Sequence, residues 1–166
     1  VTGLHLSNTF IAPEFDNNPL EEMYIHKANA GTKDSLTIEV YPARIGGKLV
    51  GAAVKSSSMN GFSGKITIMY GFKADGTVNN YKVLKHAETA GLGSKMQEWF
   101  RSLKGNQSVL GLNPSKDNMT VSKDGGAVDA ITAATITSRA FLEALNSAFE
   151  AYCAVTEKDK EGQNNE

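Results

Sequence analysis

Asp129-Ala130-Ile131-Thr132-Ala133-Ala134-Thr135-Ile136-Thr137-Ser138 holds four hydroxyl side chains in ten residues. It stands between a short β-like run, 128–131, and the longest helical pattern of the chain, 136–155, where Phe141, Leu145, Ala148, Phe149 and Tyr152 share one face. A helix start of this kind has two readings. In one it is simply well capped, with Thr135 or Thr137 as the cap and neighbouring hydroxyls bonding the free N–H groups. In the other, those N–H groups and the helix dipole hold an anion, above all a phosphate, and a hydroxyl aimed at phosphorus can be esterified. Asp129 has the charge to hold a metal or to orient a hydroxyl. Spacing alone leaves both readings open.

Upstream, the hydrophobic period is that of strands. Leu36, Ile38 and Val40 alternate with Thr37, Glu39 and Tyr41, and Gly46-Gly47 is a hairpin signal leading to a second strand over 48–55. Ser56-Ser57-Ser58-Met59-Asn60-Gly61 reads as a loop. Residues 65–72 alternate again, with Ile66, Ile68 and Tyr70 on one face, and Asp75-Gly76 turns the chain into a return strand over 77–84. This is an antiparallel meander of about four strands. His86-Ala87-Glu88-Thr89-Ala90-Gly91-Leu92-Gly93 follows and opens a helical pattern over 94–103, where Met96, Trp99, Phe100 and Leu103 recur at packing intervals. Residues 104–127 are loop-rich, with one short strand expected at 119–122 and another at 128–131. The pattern as a whole is α+β: a mainly antiparallel sheet packed by two helices.

Ahead of the meander, residues 1–35 form a loop-rich segment. Asn18, Pro19, Glu21 and Glu22 suggest a short helix over 20–27. Beyond the last helix, 156–166 is polar, lacks large apolar residues and is expected to be unstructured. The span between, 36–155, reads as one domain.

Composition narrows the function by exclusion. A net charge of −1 in 166 residues gives no basic surface excess for nucleic acid. The single cysteine, Cys153, forms neither an internal disulfide nor a CxxC pair. No HExxH, GxSxG or P-loop is present; Gly61-Phe62-Ser63-Gly64-Lys65 has a Gly-Lys pair without the required spacing. His5, His26 and His86 fall in separate segments, which favours structural or surface roles over metal ligation. No catalytic acid–base pair and no metal set is singled out.

Two of the quoted stretches carry more than spacing. Asp129-Ala130-Ile131-Thr132-Ala133-Ala134-Thr135 resembles the flavinylation motif D-x-x-(S/T)-G-A-T of the FMN-binding domain family. Glu88-Thr89-Ala90-Gly91-Leu92-Gly93 is similar to that family's E-T-P-G-L-G stretch. Their order, behind a meander and ahead of the last helix, matches as well. Within the family the resemblance is to the G subunits of Rnf-type electron transport complexes, relatives of the C subunits of sodium-pumping NADH:quinone reductases.

The resemblance implies an FMN-binding domain over 36–155 that acts as a redox carrier in a membrane ion-translocating complex, rather than as a stand-alone enzyme. It implies FMN joined through its phosphate to Thr135 as a phosphodiester, made from FAD by a separate flavin transferase. Thr132, Ala133, Ala134 and Thr135 would surround the attachment point. Glu88, Thr89, Gly91, Leu92 and Gly93 would lie beside the flavin, Thr89 hydrogen-bonding, Leu92 packing on the ring and the glycines letting backbone approach. Phe62 and Ser63 are flavin-edge candidates for which an ordinary loop anchor is the favoured reading; Trp99 and Phe100 read as packing. The family's N-terminal membrane anchor, with the flavin domain extracytoplasmic, is expected to precede a chain that begins here at Val1. The rival expectations are a flavin reductase module feeding a catalytic partner, and a flavin-free binding or scaffold domain. Two residues depart from the family pattern: Ala90 replaces proline, and Ala133 replaces the motif glycine. If that glycine needs a positive φ, alanine strains the backbone there by about 1 kcal/mol.

Overall fold

The computed structural model describes residues 15–28 and 36–164. Five strands form a single antiparallel meander in the order β1 to β5: β1 Tyr24–Ala28, β2 Leu36–Ile45, β3 Lys48–Gly61, β4 Gly64–Lys73 and β5 Val78–Lys85. The expected alternation holds in β4, whose Ile66, Ile68, Tyr70 and Phe72 are all fully buried on one face. Gly46 and Gly47 both take positive φ, as the tight turn between β2 and β3 requires.

Several segments differ from the expected pattern. The segment over 20–27 is not helical. Asn18 closes a turn, its side-chain oxygen accepting from the Leu20 N–H and its carbonyl from the Glu21 N–H. The chain then enters β1, where Tyr24 pairs with Val40 and Ile25 with Glu39. Pairing to a ready strand outweighs the helix-start signals of Pro19 and the two glutamates. The rest of the expected loop-rich segment, 1–14 and 29–35, lies outside the described residues. Residues 56–61, expected as a loop, extend β3 along β4; Ser56 pairs with Ile68 and Ser58 with Ile66. The strands expected at 119–122 and 128–131 reduce to one parallel bridge, Val121 to Val128, closed around a 3₁₀ turn at Ser122–Asp124.

Two helices pack the sheet. α1, Met96–Trp99, continues a 3₁₀ turn at Gly93–Lys95 and is only one turn long. It stops short of the expected end because the Phe100 carbonyl is taken by the N–H of Val109 and the Trp99 indole donates to the Asp129 carbonyl. Leu103 consequently leaves the packed face and is 93% exposed. α2, Thr135–Asn164, lies mainly over β3, where the small buried residues Ala52, Ser56 and Ser58 leave room for it. It runs past Val155, where an unstructured tail was expected; Glu, Lys and Gln are good helix formers, and extending a packed helix adds one bond per residue fixed. Among the described residues no helix is long and apolar enough to cross a membrane.

Phe141 of α2 is the centre of the core. Its ring stacks on Phe100 with centroids 4.1 Å apart and meets Tyr81 and Tyr70 edge-on at 5.1 and 5.6 Å. The Tyr70 hydroxyl donates to the Phe141 carbonyl at 2.8 Å, so sheet and helix are joined through a buried polar bond as well. Phe141→Ala is expected to lower unfolding free energy by about 3–5 kcal/mol in urea melts, with Leu103→Ala within about 0.5 kcal/mol of the parent.

Candidate functional site

The start of α2 is built differently from either helix-cap arrangement. Ala134 occupies the cap position: its carbonyl accepts from the Ser138 N–H at 3.0 Å. Ala134 has no side chain with which to cap. The hydroxyls that the sequence clusters here go to separate tasks. Ser138, fully buried, accepts from the Ile131 N–H at 2.8 Å and donates to the Ala134 carbonyl at 2.9 Å. Thr137, also buried, donates to Glu88 at 2.7 Å. Thr132 is exposed. Thr135 is half-buried, and its hydroxyl has no hydrogen-bond partner among the described residues. The N–H groups of Thr135, Ile136 and Thr137 likewise find no acceptor among those residues, which leaves the positive end of a long helix open.

Ile131 to Ala134 form a turn closed by the Ala134 N–H to the Ile131 carbonyl, 3.0 Å. Ala133 sits third in it with φ +62°, and it is the one non-glycine residue with positive φ among the described residues. That is the position where a type II turn demands positive φ and favours glycine. The strain expected of an alanine in place of the motif glycine is therefore present. Asp129 bonds elsewhere: its carboxylate accepts from the Asn106 N–H at 3.1 Å and anchors the loop after α1. No group of side chains able to hold a metal occurs among the described residues.

The second motif meets the first through Glu88. Its carboxylate is buried and takes three donors: the Phe62 N–H at 2.8 Å, the Ser63 N–H at 2.7 Å and the Thr137 hydroxyl. Burial pushes this carboxyl up. The bonds from Thr137, Ser63 and Phe62 outweigh that and hold it below its ordinary value of 4.5. Gly93 makes the approach possible, since a Cβ there would lie 2.6 Å from the Thr137 oxygen and 2.9 Å from the Glu88 Cβ.

Where hairpin tip, motif loop and helix start converge, a cavity of about 350 Å³ opens, within the range of small-molecule sites. Ala133, Ala134 and Thr135 line it from the first motif; Thr89, Leu92 and Gly93 line it from the second. Thr132, Glu88 and Gly91 do not: Thr132 faces solvent, Glu88 is buried with its carboxylate bonded to Thr137, and Gly91 forms the positive-φ bend of the loop. Three further residues line the cavity. Ile136 and Thr137 follow directly from the helix start, and Phe62 comes from the β3–β4 tip. Phe62, Ile136 and Leu92 leave 67%, 49% and 39% of their surface exposed, so the cavity mouth is an apolar rim. Of the pair Phe62 and Ser63, for which a loop anchor is the favoured reading of the sequence, Phe62 lines the cavity and Ser63 does not, while the N–H groups of both are anchored on Glu88. Trp99 and Phe100 pack in the core, as the spacing suggested.

The family model of the FMN-binding domain matches residues 61–150. The chain belongs to the FMN-binding domain family. The matched span begins at the β3–β4 tip and covers both motif segments and the first half of α2. Among curated proteins the chain is 35% identical over 142 residues to the G subunit of the ion-translocating oxidoreductase complex of Aliivibrio fischeri strain MJ11, covering 84% of this chain and 67% of the relative. The corresponding protein of Erwinia tasmaniensis is 33% identical over 144 residues, 84% of this chain and 67% of the relative. That of Aliivibrio fischeri strain ES114 is 34% identical over 155 residues, 90% of this chain and 72% of the relative.

Ala133→Gly relieves the left-handed strain at an exposed turn and is expected to raise unfolding free energy by about 0.5–1 kcal/mol, read by urea melts. Glu88 has a lowered folded pKa, so its contribution to stability is complete above the unfolded value of 4.5 and is lost as pH falls through the folded value. The stability difference between parent and Glu88→Gln should therefore be constant near neutral pH and shrink below about pH 4.5, as followed by thermal melts across that range.

Proposed function

We propose that this chain is the FMN-carrying electron-transfer subunit of a membrane ion-translocating oxidoreductase complex. The observation that carries the reading is the convergence of both motif segments on one cavity at an uncapped helix start. The open N–H groups of Thr135, Ile136 and Thr137 suit a phosphate, and the apolar wall of Leu92, Phe62 and Ile136 suits a flat aromatic ring. These features fit the phosphate and ring ends of FMN together. When bound, FMN supplies electron transfer in one- and two-electron steps. The chain's own part is to hold the ring against the apolar wall, keep the phosphate at the helix start and limit water at the ring face.

The attachment we infer is a phosphodiester to the Thr135 hydroxyl. A flavin transferase activates FAD; the Thr135 oxygen forms a bond to the FMN-side phosphorus, the pyrophosphate bond breaks and AMP leaves. The hydroxyl proton is released and no electrons change hands. Thr135 suits this role because it lines the cavity with its hydroxyl uncommitted, whereas Thr137 and Ser138 are bonded to Glu88 and to the turn. The chain's partners are then the other subunits of the complex, together with the transferase during maturation. In this reading the domain works on the extracytoplasmic side of the membrane.

Intact mass tests the attachment. Protein co-expressed with a flavin transferase is expected to gain the mass of FMN less one water. Thr135→Ala is expected to gain nothing, while Thr132→Ala still loads. An unmodified parent under those conditions, or a loaded Thr135→Ala, would sink the covalent reading.

A further inference from the structure

Glu88 is the one buried carboxylate among the described residues, and it takes three donors from two separate parts of the fold without lining the cavity. One of its oxygens takes the Phe62 N–H and the Thr137 hydroxyl, and the other takes the Ser63 N–H. Phe62 and Ser63 form the β3–β4 tip, and Thr137 lies in the first turn of α2. The carboxylate is thus the polar link between tip and helix start. Its own backbone is held too, the Glu88 N–H donating to His86 Nδ1 at 3.0 Å. Thr137 and Gly93, which line the cavity, are also the residues packed closely against Glu88.

We propose that Glu88 is a positioning residue: its carboxylate locks the Phe62–Ser63 tip to the first turn of α2 and sets a fixed negative charge beneath the flavin. The role of the charge rests on the chain being an FMN carrier; the lock does not. Glutamine keeps the size of the side chain, but its NH₂ group cannot accept, so one of the two tip N–H groups loses its partner. A negative charge beneath the ring opposes the arrival of electrons, so removing it favours the reduced form.

Hydrogen exchange on flavin-free protein tests the lock. Glu88→Gln is expected to speed exchange at the Phe62 and Ser63 amides by about tenfold, with the β2–β3 core amides unchanged. Thr137→Val cuts only the link to α2 and leaves the carboxylate in place; it is expected to speed exchange at the same two amides, and it carries the test if Glu88→Gln does not fold. Unchanged exchange in both variants overturns the lock. Potentiometry on flavin-loaded protein tests the charge. Glu88→Gln is expected to shift the one-electron equilibrium about tenfold towards reduction, a rise of about 59 mV. A potential that stays or falls overturns the charge's part. A parent that gains no FMN speaks against the carrier reading alone, because the exchange experiment still decides the lock.

Discussion

The site depends on a buried carboxylate that has enough donors to stay ionised. Removing Glu88 from water without partners would cost several kcal/mol, and three donors offset that cost. Those donors come from elements far apart in sequence: the tip at 62–63 and the helix start at 137. A charge that needs all of them also brings them together. The glycine at 93 belongs to the same constraint, because any side chain there would occupy the space in which Thr137 reaches Glu88.

Much of the fold was legible in the sequence because it rests on period and turn chemistry. Ile66, Ile68 and Tyr70 show a period of two, Gly46-Gly47 marks its hairpin, and Phe141, Leu145 and Tyr152 show the period of a helix. What was not legible depended on partners. β1 is a strand because β2 offers it an edge, and Ser56 to Gly61 extend β3 because β4 runs alongside. α1 is short because Val109 and Asp129, both beyond the expected end of the helix, take polar groups at its end.

The site shows the same division. Six of the nine residues that line the cavity fall in the two motif segments, but the tasks of the side chains around it could not be read from them. A run of hydroxyls at a helix start says nothing of which one bonds inward. Only the fold separates Ser138, tied to the turn, and Thr137, tied to Glu88, from Thr135 at the cavity. Glu88, expected beside the ligand, does not line the cavity; its carboxylate is engaged by the tip N–H groups and by Thr137, which does.

Three local preferences are broken within a small volume. A long helix begins on an alanine with no side-chain cap, the preceding alanine holds a positive φ, and three large apolar side chains stand exposed around the opening. Each is unfavourable alone, and elsewhere among the described residues positive φ falls only on glycines. Stability by itself would favour a serine or aspartate cap, a glycine in the turn and polar residues at the rim. A bound group carrying both an anion and a flat apolar ring offsets two of the three directly, since it supplies the acceptor that the helix start lacks and covers the rim. The third, the turn at Ala133, lines the same cavity, where backbone strain is commonly kept for a ligand's sake. The clustering of these departures therefore argues for a ligand at this cavity independently of family membership.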